Sequence, residues 1–192
     1  MIKSCINLIV TSTLILSPIA TLSSYSKTQK LGTSHHNKAE VDIAIGLFNS
    51  KKVNIQIRIP AKEAYGFEGK TQTAEQDEKV RATDNIIREK ISQIVAFPKE
   101  ADCKYQIEEI ENFEVASEKF DLPEKGERKK GNVSYWILKA DVNAYCNKVM
   151  DNQKVVIDFS KDFREINKIF VTLIGDKKRK VTIHKPSGEV YL

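Results

Sequence analysis

The side chains best suited to chemistry in this chain of 192 residues are few: three histidines, three cysteines and one glycine-rich segment that ends in Lys-Thr. His35 and His36 stand side by side in a polar stretch, with Glu40 and Asp42 just beyond them. Imidazole with carboxylate support is what zinc prefers, and a tight zinc site assembles three or four such ligands. Adjacent histidines on a polar tail are more often incidental than ligating, so zinc capture here requires the tail to meet other carboxylates. His184 lies beside Lys185, where local positive charge opposes a cation. Zinc at His35 and His36 is the metal assignment the sequence offers, and no other cofactor is expected.

A second candidate is Ala64-Tyr65-Gly66-Phe67-Glu68-Gly69-Lys70-Thr71, which fits a permissive phosphate-loop pattern between a strand and a helix. The strand before it alternates polar and apolar residues, whereas the parallel strand of a nucleotide-binding fold is buried on both faces. The helix signal also starts beyond Thr71 rather than at Lys70. The segment therefore reads as a packing loop, with Tyr65 and Phe67 in the core and glycines that permit the turn. Catalytic patterns are missing: the chain has no Gly-x-Ser-x-Gly, no His-Glu-x-x-His and no Cys-x-x-Cys. Glu108, Glu109 and Glu111 read as a solvated strand face, and Trp136 as core. No enzyme activity is expected.

What positions these residues begins with export. Met1-Ile2-Lys3, an apolar run from Ile6 to Leu22, and small residues from Ala20 to Ser24 have the layout of a secretory signal peptide. Asn7, Thr11, Ser12, Thr13 and Pro18 interrupt the run, which makes it a poor permanent transmembrane helix. The expected organisation is a signal peptide over 1–24, a flexible polar leader over 25–38 and one domain over 39–192. After processing the protein is expected in the periplasm or outside the cell, spanning no membrane. Cys5 leaves with the signal, and the remaining Cys103 and Cys146, 43 positions apart, form the simplest disulfide framework of an oxidising compartment. The formal charge of +5 is mild, and the runs Arg128-Lys129-Lys130 and Lys177-Lys178-Arg179-Lys180 read as solvated hairpin loops, with an anionic surface as the alternative partner and nucleic acid not expected.

Within the domain, Val41, Ile43, Ile45 and Leu47 alternate with polar or small residues, and so do Val53, Ile55, Ile57 and Ile59. This is a β-hairpin with one wet face, ended by Pro60. Thr73-Ala74-Glu75-Gln76 has capping-box spacing ahead of a helix whose Val80, Ile87, Ile91 and Ile94 share a stripe that Asp84 interrupts. Glu75 with Lys79, Asp77 with Arg81 and Asp84 with Arg88 are spaced to pair. Phe97-Pro98 should stop the helix. Strands are expected over 105–115 and 132–146, a final hairpin over 169–174 and 181–183, and 155–163 reads equally as strand or short helix. The order gives an α+β fold: a mostly antiparallel sheet with one main α-helix packed on it, in a single domain.

Taken in order, these features resemble the ZrgA family, exported proteins associated with zinc uptake in Gram-negative bacteria, over approximately the whole mature domain. The carriers are His35-His36 ahead of the first strand, Pro60 and Gly66-Phe67-Glu68 ahead of the helix, Cys103, Cys146 and the closing hairpin. Family members typically follow Gly-Phe-Glu with histidine, where Gly69 stands here, and carry a His/Asp-rich tract where this chain has Glu127-Arg128-Lys129-Lys130. The resemblance implies a periplasmic zinc-binding or zinc-uptake accessory, with zinc-transport components or an envelope protein as partners. The competing expectation is a metal-independent envelope protein that engages a protein or an anionic surface.

Overall fold

The computed structural model describes residues 37–46, 49–116 and 134–192, which lie in one unit of the chain, Gly32–Leu192. The proposed signal peptide, His35, His36 and the connection carrying Arg128-Lys129-Lys130 lie outside the described residues. Alternation turns directly into pairing at the start. Strand β1 (Lys38–Gly46) and strand β2 (Asn49–Pro60) form an antiparallel ladder that sets Val41 opposite Ile57 and Ile43 opposite Ile55. These side chains are buried, whereas the residues between them point to the other face, as the two-residue period of a strand requires.

Pro60 ends β2, and a short helix α1 (Ala61–Tyr65) follows, closed by Gly66 at φ +81°. Only glycine adopts that backbone without strain, and Gly69 at φ +90° repeats the device. Helix α2 (Ala74–Ile94) starts where Thr73 Oγ1 accepts the Gln76 N–H at 3.2 Å. The Gln76 side chain reaches one residue further back than a capping box demands, accepting from the Gln72 N–H at 2.7 Å. Ile87, Ile91 and Ile94 are buried on one stripe, as their spacing predicts, with Thr83 beside them donating to the Ala64 carbonyl at 3.0 Å. Of the three ion pairs expected on α2, Glu75–Lys79 forms at 2.8 Å, and the other two are not made. Asp84 is half-buried, and burial raises its carboxyl above the usual range while the charge of Arg88, not in ion-pair contact, pulls it down.

The helix ends at Ile94, earlier than Phe97-Pro98, because Val95–Ala96 form strand β3. A 3₁₀ turn over Lys99–Ala101 leads to strands β4 (Lys104–Ala116) and β5 (Ser134–Tyr145), which pair antiparallel. The undecided stretch resolves into strand β6 (Lys154–Asp158) followed by a turn whose Phe159, Phe163 and Ile166 are buried. Strands β7 (Lys168–Ile174) and β8 (Lys178–Ile183) form the expected hairpin, and β9 (Ser187–Tyr191) closes the chain.

Two sheets result. The larger has the order β4-β5-β2-β1-β7-β8, and the smaller β3-β6-β9. The sheet is mostly antiparallel, in an α+β fold, with one exception: β1 and β7 run parallel, from Lys38 opposite Lys168 to Ala44 opposite Ile174. Inward side chains of the larger sheet, the α2 stripe and Val155, Ile157 and Val190 of the smaller sheet belong to one hydrophobic core. At the junction between the sheets Gly188 makes room for Ile183, since a Cβ there would lie 2.7 Å from the Ile183 side chain. Among the described residues no helix is long and apolar enough to cross a membrane.

Cys103 and Cys146 are bonded at 2.04 Å. They sit just past the last register pair of β4 and β5, Lys104 opposite Tyr145, so the bridge clamps one end of that ladder. Closing a span of 43 residues restricts the unfolded chain by about 4 kcal/mol in the chain-entropy model. Urea unfolding with and without reductant should therefore differ by about that amount, and a loss under about 1 kcal/mol would mean that the β4–β5 ladder holds without its clamp.

Candidate functional site

The alternation that buries Val41 and Ile57 also assembles the opposite face of the larger sheet. Register places Glu40 opposite Arg58 and Asp42 opposite Gln56, then Gln56 opposite Asp141 and Arg58 opposite Lys139, then Lys139 opposite Glu111. Four strands thus contribute polar and charged side chains to two adjoining rows, which Thr172 and Phe170 continue on β7. Toward the ends of β2 and β5 the same face turns apolar at Pro60, Ile137 and Phe113.

Arg58 is the hub of this face. Its guanidinium lies 3.0 Å from Glu40 Oε2 and 2.9 Å from Asp42 Oδ2, with a further hydrogen bond to Gln56 Oε1. Its side chain is 11% exposed, against 19% and 17% for the two carboxylates, so the pairs are much less screened than ordinary surface ion pairs. Burial opposes the charge on Arg58, but the two carboxylates more than offset it and hold the guanidinium above its usual range. Glu40 goes the other way: burial pushes its carboxyl above the usual carboxylate range even though Arg58 pulls it down. Next to this group, Gln56 Nε2 donates to Asp141 Oδ1 at 2.7 Å, and Asn54 Nδ2 to Asn143 Oδ1 at 2.5 Å.

Lys139 forms a second centre, 2.7 Å from Glu111 Oε1 and 2.8 Å from Asp141 Oδ2, with Glu109 Oε2 at 4.0 Å. Burial works against its charge, yet the bonds to Asp141 and Glu111 prevail and keep the ammonium above the usual lysine range. The carboxylates that read as a plain solvated strand face are therefore partly engaged: Glu111 by Lys139, and Glu108 by Asn143 Nδ2 at 2.6 Å.

The residues singled out from sequence separate into distinct places. Cys103 and Cys146 are covalently joined, and His184 is exposed just after β8. Glu40 and Asp42, offered as oxygen donors for His35 and His36, are occupied by Arg58. The anchor at the start of β1 is instead Asn37, whose N–H donates to Glu63 Oε1 of α1 at 2.8 Å and whose carbonyl accepts from the Asn167 N–H at 2.9 Å. Among the described residues no three His, Cys, Asp or Glu side chains are grouped to hold a metal ion. The phosphate-loop pattern folds as a packing turn: Tyr65 is buried, Phe67 lies 5.8 Å from it ring to ring, and Lys70 faces the Trp136 ring at 6.0 Å. Trp136 itself is half-buried against the core. Neither the Arg58 hub nor the Glu63 anchor was found from sequence. The alternation of Asn54, Gln56 and Arg58 was a signal for the first, but without register it names no partner.

A family model described as ZrgA family zinc uptake protein matches residues 33–192. No curated protein matches the chain.

A carboxyl whose folded value is raised favours the fold fully below its ordinary range, and loses that contribution as pH rises through the folded value. Relative to Glu40→Gln, which does not titrate there, the wild type should accordingly lose stability as pH is taken from about 4 to about 7. Denaturant unfolding of both proteins across that range measures it. A wild type that gains on the variant would show that Arg58 outweighs burial.

Proposed function

Because the chain belongs to the ZrgA family of zinc uptake proteins, we propose that it is an exported, non-enzymatic protein of the periplasm that binds zinc and passes it to the uptake machinery. The observation that carries this reading is the family match, which spans the described domain and includes both His35 and His36. Zinc is cargo here, and the residues proposed to take it are those two imidazoles.

The local geometry supports that assignment in one respect. Asn37 is fixed on two sides, through its N–H to Glu63 and through its carbonyl to Asn167. Asn37 directly follows His36 in the sequence, so the anchored backbone begins one residue after the two imidazoles. Glu63 rather than Glu40 or Asp42 is the carboxylate set beside that peptide, since the latter two are held by Arg58. Export accords with the Cys103–Cys146 disulfide, a bond that persists in oxidising compartments. The non-enzymatic reading rests on the lack of any nucleophile paired with a base in the sequence.

Calorimetric titration of zinc into the chain from residue 25 onward tests the proposal. Micromolar or tighter binding is expected, weakened tenfold or more by His35→Ala with His36→Ala, and fading below about pH 6.5 as the imidazoles protonate. Absence of micromolar binding, or binding indifferent to the double substitution, would remove the reading.

A further inference from the structure

The β7–β8 hairpin concentrates the charge of the molecule. Five basic residues against one acidic residue give positions 174–185 a formal charge of +4, out of +5 for the whole chain. Lys177, Lys178, Arg179 and Lys180 are all exposed, as is Lys185 beyond β8. Among the described residues, Lys177, Lys178 and Lys185 enter no ion pair, and Arg179 donates to a neutral acceptor, the Tyr191 carbonyl, at 2.9 Å. Only Lys180 is felt by a carboxylate, weakly, at Glu40.

Apolar surface accompanies the charge. Four large hydrophobic side chains are conspicuously exposed among the described residues, and two of them belong to this corner: Ile174 at 38% and Tyr191 at 60%. Ile174 is the register partner of Lys178, so it shares a face with Lys178 and Lys180, while the Tyr191 backbone is bound by Arg179 on the other side of β8. Lysines on an edge strand guard against unwanted strand pairing. That role accounts for Lys178 and Lys180. It does not account for Lys177 and Lys185, which lie off the strand, for Ile174 left exposed opposite Lys178, or for Tyr191, exposed where its carbonyl meets Arg179.

Basic side chains next to exposed aliphatic and aromatic groups match a surface of negatively charged headgroups over an apolar interior. There, lysine stems and a tyrosine ring settle at the boundary while the charges meet phosphate. We propose that the β7–β8 hairpin, with Tyr191, docks this protein on an anionic lipid membrane. A nucleic acid or an acidic peptide would use the charge but would leave Ile174 and Tyr191 without a function.

Vesicle co-sedimentation tests the proposal with the chain from residue 25 onward, which contains every residue of the core from Ala39 to Leu192. Vesicles of phosphatidylcholine with phosphatidylglycerol should bind it at 0.1 M salt, and vesicles of phosphatidylcholine alone should not. Each basic residue at an anionic surface is worth about fivefold in partitioning, so Lys178→Gln with Lys180→Gln should weaken binding about thirtyfold. Tyr191→Ser should weaken vesicle binding and leave retention on heparin unchanged. Equal binding to both vesicle types, no binding to the anionic ones, or insensitivity to the lysine substitutions would overturn it. Loss of vesicle binding with heparin binding intact in the wild type would assign the patch to a soluble polyanion instead. Zinc titration of the same lysine variant should match the wild type, so failure on vesicles leaves the zinc reading untouched.

Discussion

Strand β1 carries two ladders at once, antiparallel to β2 and parallel to β7, and every layer of the molecule is referred to that double pairing. A strand has a side-chain period of two, so sliding β1 by one residue would put Glu40 and Asp42 into the core and Val41 and Ile43 into water. Both neighbours enforce the same register: Ile55 and Ile57 on one side, Val171 and Leu173 on the other, all buried. Each fully buried aliphatic side chain is worth about 1.5–3 kcal/mol, and the ladder aligns several at once. The parallel partner matters for a further reason. It brings the chain from Lys168 onward back to the first strand, and with it β8, the β9 strand and the junction at Gly188.

The polar face follows from the same register. Arg58 meets Glu40 directly across the β1–β2 ladder and reaches Asp42 two residues on. Lys139 sits opposite Arg58 and turns away from it, toward Glu111 and Asp141. Two cations thus divide five carboxylates between them, with Glu109 the most distant at 4.0 Å, and the carboxylates are held by cationic side chains rather than left to gather around a metal. Partly buried pairs of this kind contribute less to stability than they cost when one partner is removed, and their clearest effect is to fix which strand faces which. The face organises the sheet. The two histidines proposed for zinc precede β1 in the sequence.

Legibility in the sequence followed the range of the interaction. Val41 to Leu47 and Val53 to Ile59 declared a hairpin through alternation alone, Thr73 and Gln76 declared the start of a helix, and Cys103 with Cys146 declared a bridge by being the pair left once Cys5 is assigned to the proposed signal peptide. Each of these signals is local or a matter of counting. The parallel contact of β1 with β7 joins residues about 130 positions apart, and nothing in either strand names the other. Residues 155–163 could not be resolved because β-branched and aromatic side chains suit both a short strand and a buried turn, and the pairing of Val156 with Glu189 and Ala96 decides it. The spacing of Asp84 and Arg88 shows that they can meet, and their charges do act on each other, but without closing to an ion pair. His35 and His36 stand out by residue type, and the family match takes them in, but their ligand role rests on proposal.

Asn37 joins the two halves of the account, since its N–H is bound by Glu63 and its peptide begins at His36. If zinc is taken by the two imidazoles, the restraint should pass directly into that amide. Hydrogen exchange followed by NMR, with and without zinc, reads this at single residues. Zinc should slow exchange at Asn37 and Lys38 and leave Val41 and Ile43, already in the core ladder, unchanged. Exchange at Asn37 that ignores zinc while another part of the domain responds would contradict the placement of the metal at the start of β1.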